Sequence, residues 1–127
     1  MFSHIKTSKE NKEVVTLLTN KLNLGAENVI ARIAFSYSIS NDEKLDLKDL
    51  KNSGGKEYSK AVLFGNNYEI YLGLILKKYN IHSSNKDFSK YVKIHIDNGL
   101  ELLNNEINSV SNIDGYEFLM NKIQSKL

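Results

Sequence analysis

A chain of 127 residues with 41% hydrophobic and 25% charged residues carries enough apolar material for one moderate core. It has no cysteine, which excludes disulfides, thiolate metal sites and cysteine catalysis. It also has no proline, which suits a helix-rich fold. The formal charge of +2 is unevenly placed: residues 1–40 carry Lys6, Lys9, Lys12, Lys21 and Arg32 against Glu10, Glu13 and Glu27, whereas residues 91–127 are acidic. No apolar run approaches the roughly 20 residues that span a bilayer. Met1-Phe2-Ser3-His4-Ile5-Lys6 lacks the apolar centre of a signal peptide, so a cytoplasmic protein without membrane contact is expected.

In chain order, the alternation from Phe2 to Lys6 predicts a short strand or arm. Thr7-Ser8-Lys9-Glu10 fits a capping box opening a helix from about Ser8 to Leu22, with Val14, Leu17, Leu18, Lys21 and Leu22 along one side. Gly25 suits the backbone angles of a helix end. Ala26 to Tyr37 then reads as a buried helix, with Ile30, Ile33, Ala34 and Tyr37 in one stripe and the chain's only arginine, Arg32, in its middle. Short strand, helix, tight turn, helix is also the order of ribbon-helix-helix DNA-binding proteins, where two chains pair their strands and the second helix begins at phosphate.

Residues 39–60 form a polar connection that Leu45, Leu47 and Leu50 could tack down as an irregular segment or one helical turn, with a turn at Gly54-Gly55. After the apolar run Ala61 to Phe64, Asn66-Asn67 can cap a second core helix from Tyr68 to Tyr79, with Lys77 and Lys78 complementing its C-terminal dipole. A long helix is expected from Lys86 to about Glu106, with Phe88, Tyr91, Val92, His95, Leu102 and Leu103 inward. After a break at 110–113, Asp114 should cap a last helix with a stripe of Tyr116, Leu119, Met120, Ile123 and Leu127. The expected fold is all-α: one compact domain over residues 1–127 of about five helices, opened by a short strand or arm, with 108–127 as a C-terminal helical extension.

Catalytic patterns are sparse. Gly54-Gly55-Lys56-Glu57 fails as a phosphate-binding loop, because the upstream glycine is absent and Glu follows the lysine. The three histidines are far apart in sequence, and His95 and Asp97 should point to different faces of their helix. His95 reads most simply as a packed, hydrogen-bonded core residue. Tyrosines lie beside lysines at Tyr58, Tyr79 and Tyr91, a pairing that serves stacking and phosphate contact but occurs more often in packing. Residue chemistry alone therefore describes a helical binding or scaffold protein, with no enzyme or cofactor signature and the ligand open.

Four pieces resemble the DndE family, the small helical component of bacterial DNA phosphorothioation systems. They are Lys6-Thr7-Ser8-Lys9; Leu24-Gly25 with Asn28, Ala31-Arg32, Ala34 and Ser38; Gly55-Lys56-Glu57 with Leu63 and Gly65; and His95-Ile96-Asp97-Asn98-Gly99 with Leu102-Leu103. The resemblance spans about residues 5–103 and leaves the last helix outside. It implies a non-catalytic member of a complex that replaces a non-bridging phosphate oxygen of DNA with sulfur, the chemistry being done by a cysteine desulfurase, an ATP-using sulfur-transfer enzyme and an ATPase. It also implies binding to double-stranded DNA with a preference for nicked duplex, and a homo-oligomer, a tetramer, whose four copies would carry a formal +8. The expected phosphate contacts are Lys6, Lys9, Lys12, Lys21, Arg32 and Lys56, with no metal and no cofactor. The alternative is a protein-only scaffold that holds the sulfur-transfer and ATPase partners without touching DNA.

Overall fold

The computed structural model of the protein describes residues 3–41, 43–108 and 115–126. Its elements run β1 (His4–Lys6), α1 (Lys9–Leu22), α2 (Glu27–Ile39), β2 (Glu57–Ser59), α3 (Lys60–Phe64), α4 (Tyr68–Tyr79), α5 (Phe88–Asn108) and α6 (Gly115–Lys126), with 3-10 turns at Leu47–Asp49 and Gly65–Asn67. The fold is all-α, with one two-stranded antiparallel sheet in which Ile5 pairs with Tyr58. The strand–helix–helix order is present, and β1 finds this partner, β2, within its own chain. The expected strand start at Phe2, the break at 110–113, the Asp114 cap and the ends of the last stripe at Tyr116 and Leu127 lie outside the described residues or side chains.

The capping chemistry at α1 sits one residue later than the sequence suggests. Ser8 is the N-cap, its Oγ accepting from the Asn11 amide at 3.2 Å. Thr7 instead turns its hydroxyl to the loop, accepting from the Lys56 amide at 2.9 Å. The helix ends at Asn23, which takes the left-handed conformation (φ 51°) and donates its amide to the Thr19 carbonyl. The inward residues of α1 are Asn11, Val15, Leu18 and Leu22, and Leu17 is exposed, so the buried face is turned from the expected stripe.

α2 and α5 make the most extensive helix–helix contact. α2 buries Ile30, Ala31, Ala34 and Phe35, and α5 buries Val92, Ile96, Leu100 and Leu103 against it and its neighbours. Small residues set the approach: a Cβ on Gly99 would overlap the Ala34 carbonyl, so only glycine lets the two backbones lie this close. Around this pair the Phe64 and Tyr71 rings stack at 4.7 Å, and Phe35 meets Phe64 edge-on at 5.1 Å.

Expectations about two of the later helices are corrected. α4 has the expected bounds, but it buries only Leu72 and Ile75 while Ile70 and Leu74 are exposed. Its Asn67 makes no capping hydrogen bond, and the helix is entered from the 3-10 turn instead. In α6 the buried residue is Phe118, and Met120 and Ile123 of the expected inward stripe are exposed. Both follow from packing geometry: each of these helices meets the core along one narrow line, so apolar residues beside that line face outward.

Candidate nucleic-acid interface

The start of α1 is built by three segments. A Cβ on Gly55 would overlap the Ser8 carbonyl oxygen and the Thr7 hydroxyl, which lays the 52–56 loop flat against the β1–α1 junction. Backbone bonds lock it there, Thr7 N–H donating to the Lys56 carbonyl (2.9 Å) and Gly55 N–H to the Thr7 carbonyl (3.0 Å). From beneath, α5 supplies a buried ion pair. Lys93 Nζ lies 2.8 Å from Asp97 Oδ2 and donates to the Asn52 carbonyl at 2.8 Å. Asp97 Oδ1 accepts from the Ser8 amide (3.0 Å) and from Asn11 Nδ2 (2.8 Å).

This arrangement decides how an anion could meet α1. A helix N-terminus attracts phosphate through amides that lack partners. Here the Ser8 amide is held by Asp97, the Lys9 amide by Asn52 Oδ1 at 2.8 Å and the Asn11 amide by the Ser8 hydroxyl. The Glu10 carboxyl is held below its usual range by its own backbone amide and by Asn52, which donates to it at 3.3 Å. A phosphate here would therefore be met by lysine side chains, as point charges that position and do not read sequence.

Of the six expected contact residues, four gather at this end of the molecule. Lys6 is exposed on β1 opposite Glu57, and Lys9 and Lys12 are exposed on the first turns of α1. Lys56 is half-buried and pairs with Glu27 at 3.4 Å. Lys21 is exposed in the last turn of α1, nine residues beyond Lys12, or ~14 Å along the axis. Arg32 stands apart: its Nε–H donates to the Leu63 carbonyl at 2.6 Å and its terminal NH2 to the Val62 carbonyl at 3.3 Å. Those carbonyls end α3, so the guanidinium's first task is to hold that helix on α2.

His95 is sealed in the core. Its Nδ1 lies 2.7 Å from Ser38 Oγ and its Nε2 2.6 Å from the Tyr79 hydroxyl. Ser38 Oγ accepts from Asn98 Nδ2, and the Tyr79 oxygen accepts from the Leu45 amide. Burial, with a smaller contribution from Lys78, pushes the imidazole down to about 4, so it is neutral. A neutral ring has one N–H and one bare nitrogen; one hydroxyl accepts from it and the other donates to it. Asp97, two residues on, faces α1, as the helical spacing requires.

The sequence reading missed Asn11, Asn52 and Lys93. One signal was available: Lys93 and Asp97 stand at i,i+4 with Ile94 and Ile96 between them on α5, a spacing that lets a buried pair neutralise itself. Elsewhere, a cleft of about 410 Å3 lies among α2, α4, α5 and α6, walled by Ile33, Tyr71, Leu103, Leu119 and Ile123 with Arg32 and Lys122 on its lining. Among the described residues no group of three or more His, Cys, Asp or Glu side chains could hold a metal, and no helix is long and apolar enough to cross a membrane.

The family model described as DNA sulphur modification protein DndE matches residues 4–111. This chain belongs to the DndE family. The crystal structure of DndE from Escherichia coli B7A, described as involved in DNA phosphorothioation modification, is similar with a TM-score of 0.66 at 16% identity, covering 81% of this chain and 98% of that one. A DndE mutant with two glycines changed to lysine, described as involved in DNA phosphorothioation, gives a TM-score of 0.68 at 18% identity with the same coverage. At such identities the likeness is one of fold. No curated protein matches the chain. The positions that carry the DndE resemblance are contact points in this fold: Gly55 against Ser8, Gly99 against Ala34, Ser38 on His95, and Asp97 on Ser8 and Asn11.

Proposed function

We propose that this DndE family member is a non-catalytic, cytoplasmic DNA-binding subunit of a DNA phosphorothioation complex, contacting the backbone of double-stranded DNA and favouring nicked duplex. The observation that carries the reading is the family match over residues 4–111. Supporting it, Lys6, Lys9, Lys12 and Lys56 share one end of the molecule, on segments clamped by the Lys93–Asp97 pair. We assign the phosphate contacts to these four, with Lys21 extending the track along α1. Arg32 is assigned first to holding α3 and only second to phosphate through its remaining N–H groups. A homo-oligomer, a tetramer, would repeat the patch by symmetry and raise the total charge that phosphate meets. The chain is read as one domain, with 108–127 as an extension beyond the family core.

Fluorescence anisotropy with intact and nicked duplex, titrated over salt, tests this. Log affinity should fall linearly with log salt, with a slope of about −0.9 per phosphate contact. The Lys9→Glu/Lys12→Glu protein should bind weaker and with a shallower slope. Unchanged affinity in that variant sinks the assignment, and no binding at low salt sinks the DNA reading. A scaffold role is the second reading, favoured by the exposed Met120 and Ile123 of α6, which lies past the matched range. On that reading, deleting residues 109–127 abolishes capture of the partner enzymes and leaves DNA affinity untouched.

A further inference from the structure

We propose that the cleft among α2, α4, α5 and α6 binds a medium-chain fatty acid, with its carboxylate on Arg32 and its alkyl chain against Ile33, Leu103, Leu119 and Ile123. The inference stands apart from the DNA reading, because none of Lys6, Lys9, Lys12 and Lys56 lines the cleft. It also concerns a part of this chain outside the matched core. Leu119 and Ile123 lie on α6, which begins at Gly115, past the matched residues 4–111.

The walls select the body of the ligand. The space of about 410 Å3 falls within the roughly 300–1,000 Å3 of small-molecule sites. Leu119 and Ile123, one turn apart on α6, face a lining that includes Ile33 of α2 and Leu103 of α5. Tyr71 of α4 adds a ring, but that ring is already stacked on Phe64 at 4.7 Å. Aliphatic walls of this kind suit an alkyl chain. A peptide suits them poorly, because its backbone amides and carbonyls would be buried without partners.

The charges select the head group. Tyr37 and Lys122 also line the cleft, and both are taken by Glu106: the Tyr37 hydroxyl donates to Oε1 at 2.6 Å, and Lys122 Nζ lies 2.6 Å from Oε2. Burial and Glu106 push the Tyr37 phenol up to about 12, so it keeps its proton. The Ser40 hydroxyl is spent on the Tyr37 carbonyl at 2.7 Å. Half-buried Arg32 differs, because among the described residues no carboxylate meets its charge. It spends two N–H groups on the Leu63 and Val62 carbonyls and keeps three. Those three suit a carboxylate, and the apolar surroundings strengthen the bond. Arg32, Ser36 and Ser40 stand at i, i+4 and i+8 along ~12 Å of α2, so the one unmatched charge marks one end of an elongated apolar site.

Isothermal titration of the full chain with hexanoate, octanoate and decanoate, all below micelle formation, tests the proposal. Affinity should rise about fourfold per added methylene. Decanoate should bind at least tenfold tighter than decan-1-ol, and Arg32→Gln should erase that difference. Loosening of α3 alone would weaken acid and alcohol alike and leave the difference standing. Leu119→Trp fills the cleft and should lower decanoate affinity tenfold or more, with the thermal melt intact. Methyl NMR shifts on adding decanoate should centre on Ile33, Leu103, Leu119 and Ile123 and spare Ile70 and Leu74, which are exposed on α4. No binding of any of the acids, equal affinity for acid and alcohol, a difference that survives Arg32→Gln, indifference to Leu119→Trp, or equal shifts on α4 would each overturn it.

Discussion

Buried polar side chains in this protein are tied to backbone as often as to each other, and single substitutions should show it. His95 is the clearest case. Its imidazole titrates near 4 in the folded state and near 6.5 when unfolded, because burial disfavours the cation. Above pH 6.5 both states are neutral and the group adds no pH dependence. As pH falls from 6.5 to 4, only the unfolded chain takes up the proton, so stability declines across that window by up to about 3 kcal/mol and then levels. Urea denaturation at stepped pH should show the decline in the native protein and a flatter profile over the same window in His95→Gln. Gly99 makes a second test. Gly99→Ala drives a methyl into the Ala34 carbonyl and should cost about 3 kcal/mol, read as a lower urea midpoint at unchanged slope.

Among the elements, α5 does most of the organising. One face holds His95 toward α2 and α4, and another presents Lys93 and Asp97 to the start of α1 and the Asn52 carbonyl. Removing one member of that pair leaves a buried charge. Lys93→Met strands the Asp97 carboxylate with only the Ser8 amide and Asn11 as donors, and should destabilise by about 3 kcal/mol. If the loop 52–56 is held chiefly by this pair, hydrogen exchange at the Gly55 and Lys56 amides should rise in the variant more than exchange in α2. Ser8→Ala, which removes the side-chain cap of α1, should cost about 1 kcal/mol. Thr7→Val deletes a bond to the Lys56 amide instead, so its loss should appear as faster exchange at Lys56, with α1 intact.

For the molecule as a whole, the family match stops at residue 111 and α6 begins at Gly115. The core around α2 and α5 is closed without α6 except at Phe118 and at the cleft wall made by Leu119 and Ile123. Deleting residues 109–127 should therefore leave a folded protein with a cooperative melt and a modestly lower midpoint. It should also expose Ile33, Tyr71 and Leu103, which binding of a hydrophobic dye would report. Collapse of the melt on truncation would make α6 part of the core.

The sequence by itself determined the five long helices and much of the buried side of α2 and α5, because period 3.6 is a local property and each segment here is long enough to display it. Tyr68–Tyr79 and the His95 core position were legible for that reason, and the DndE resemblance was legible because short pieces keep their order. Tertiary structure alone decided three things. It moved the α1 cap from Thr7 to Ser8, since Thr7 is taken by a loop almost fifty residues away. It turned Arg32 toward the end of α3, because carbonyls with no helical partner lay within its reach. It left one side of α4 uncovered, since amphipathic spacing says that a face is apolar and cannot say which neighbour arrives to cover it. Hydrogen-bond partners and contacts between distant segments depend on where the chain returns to itself, which no local pattern encodes.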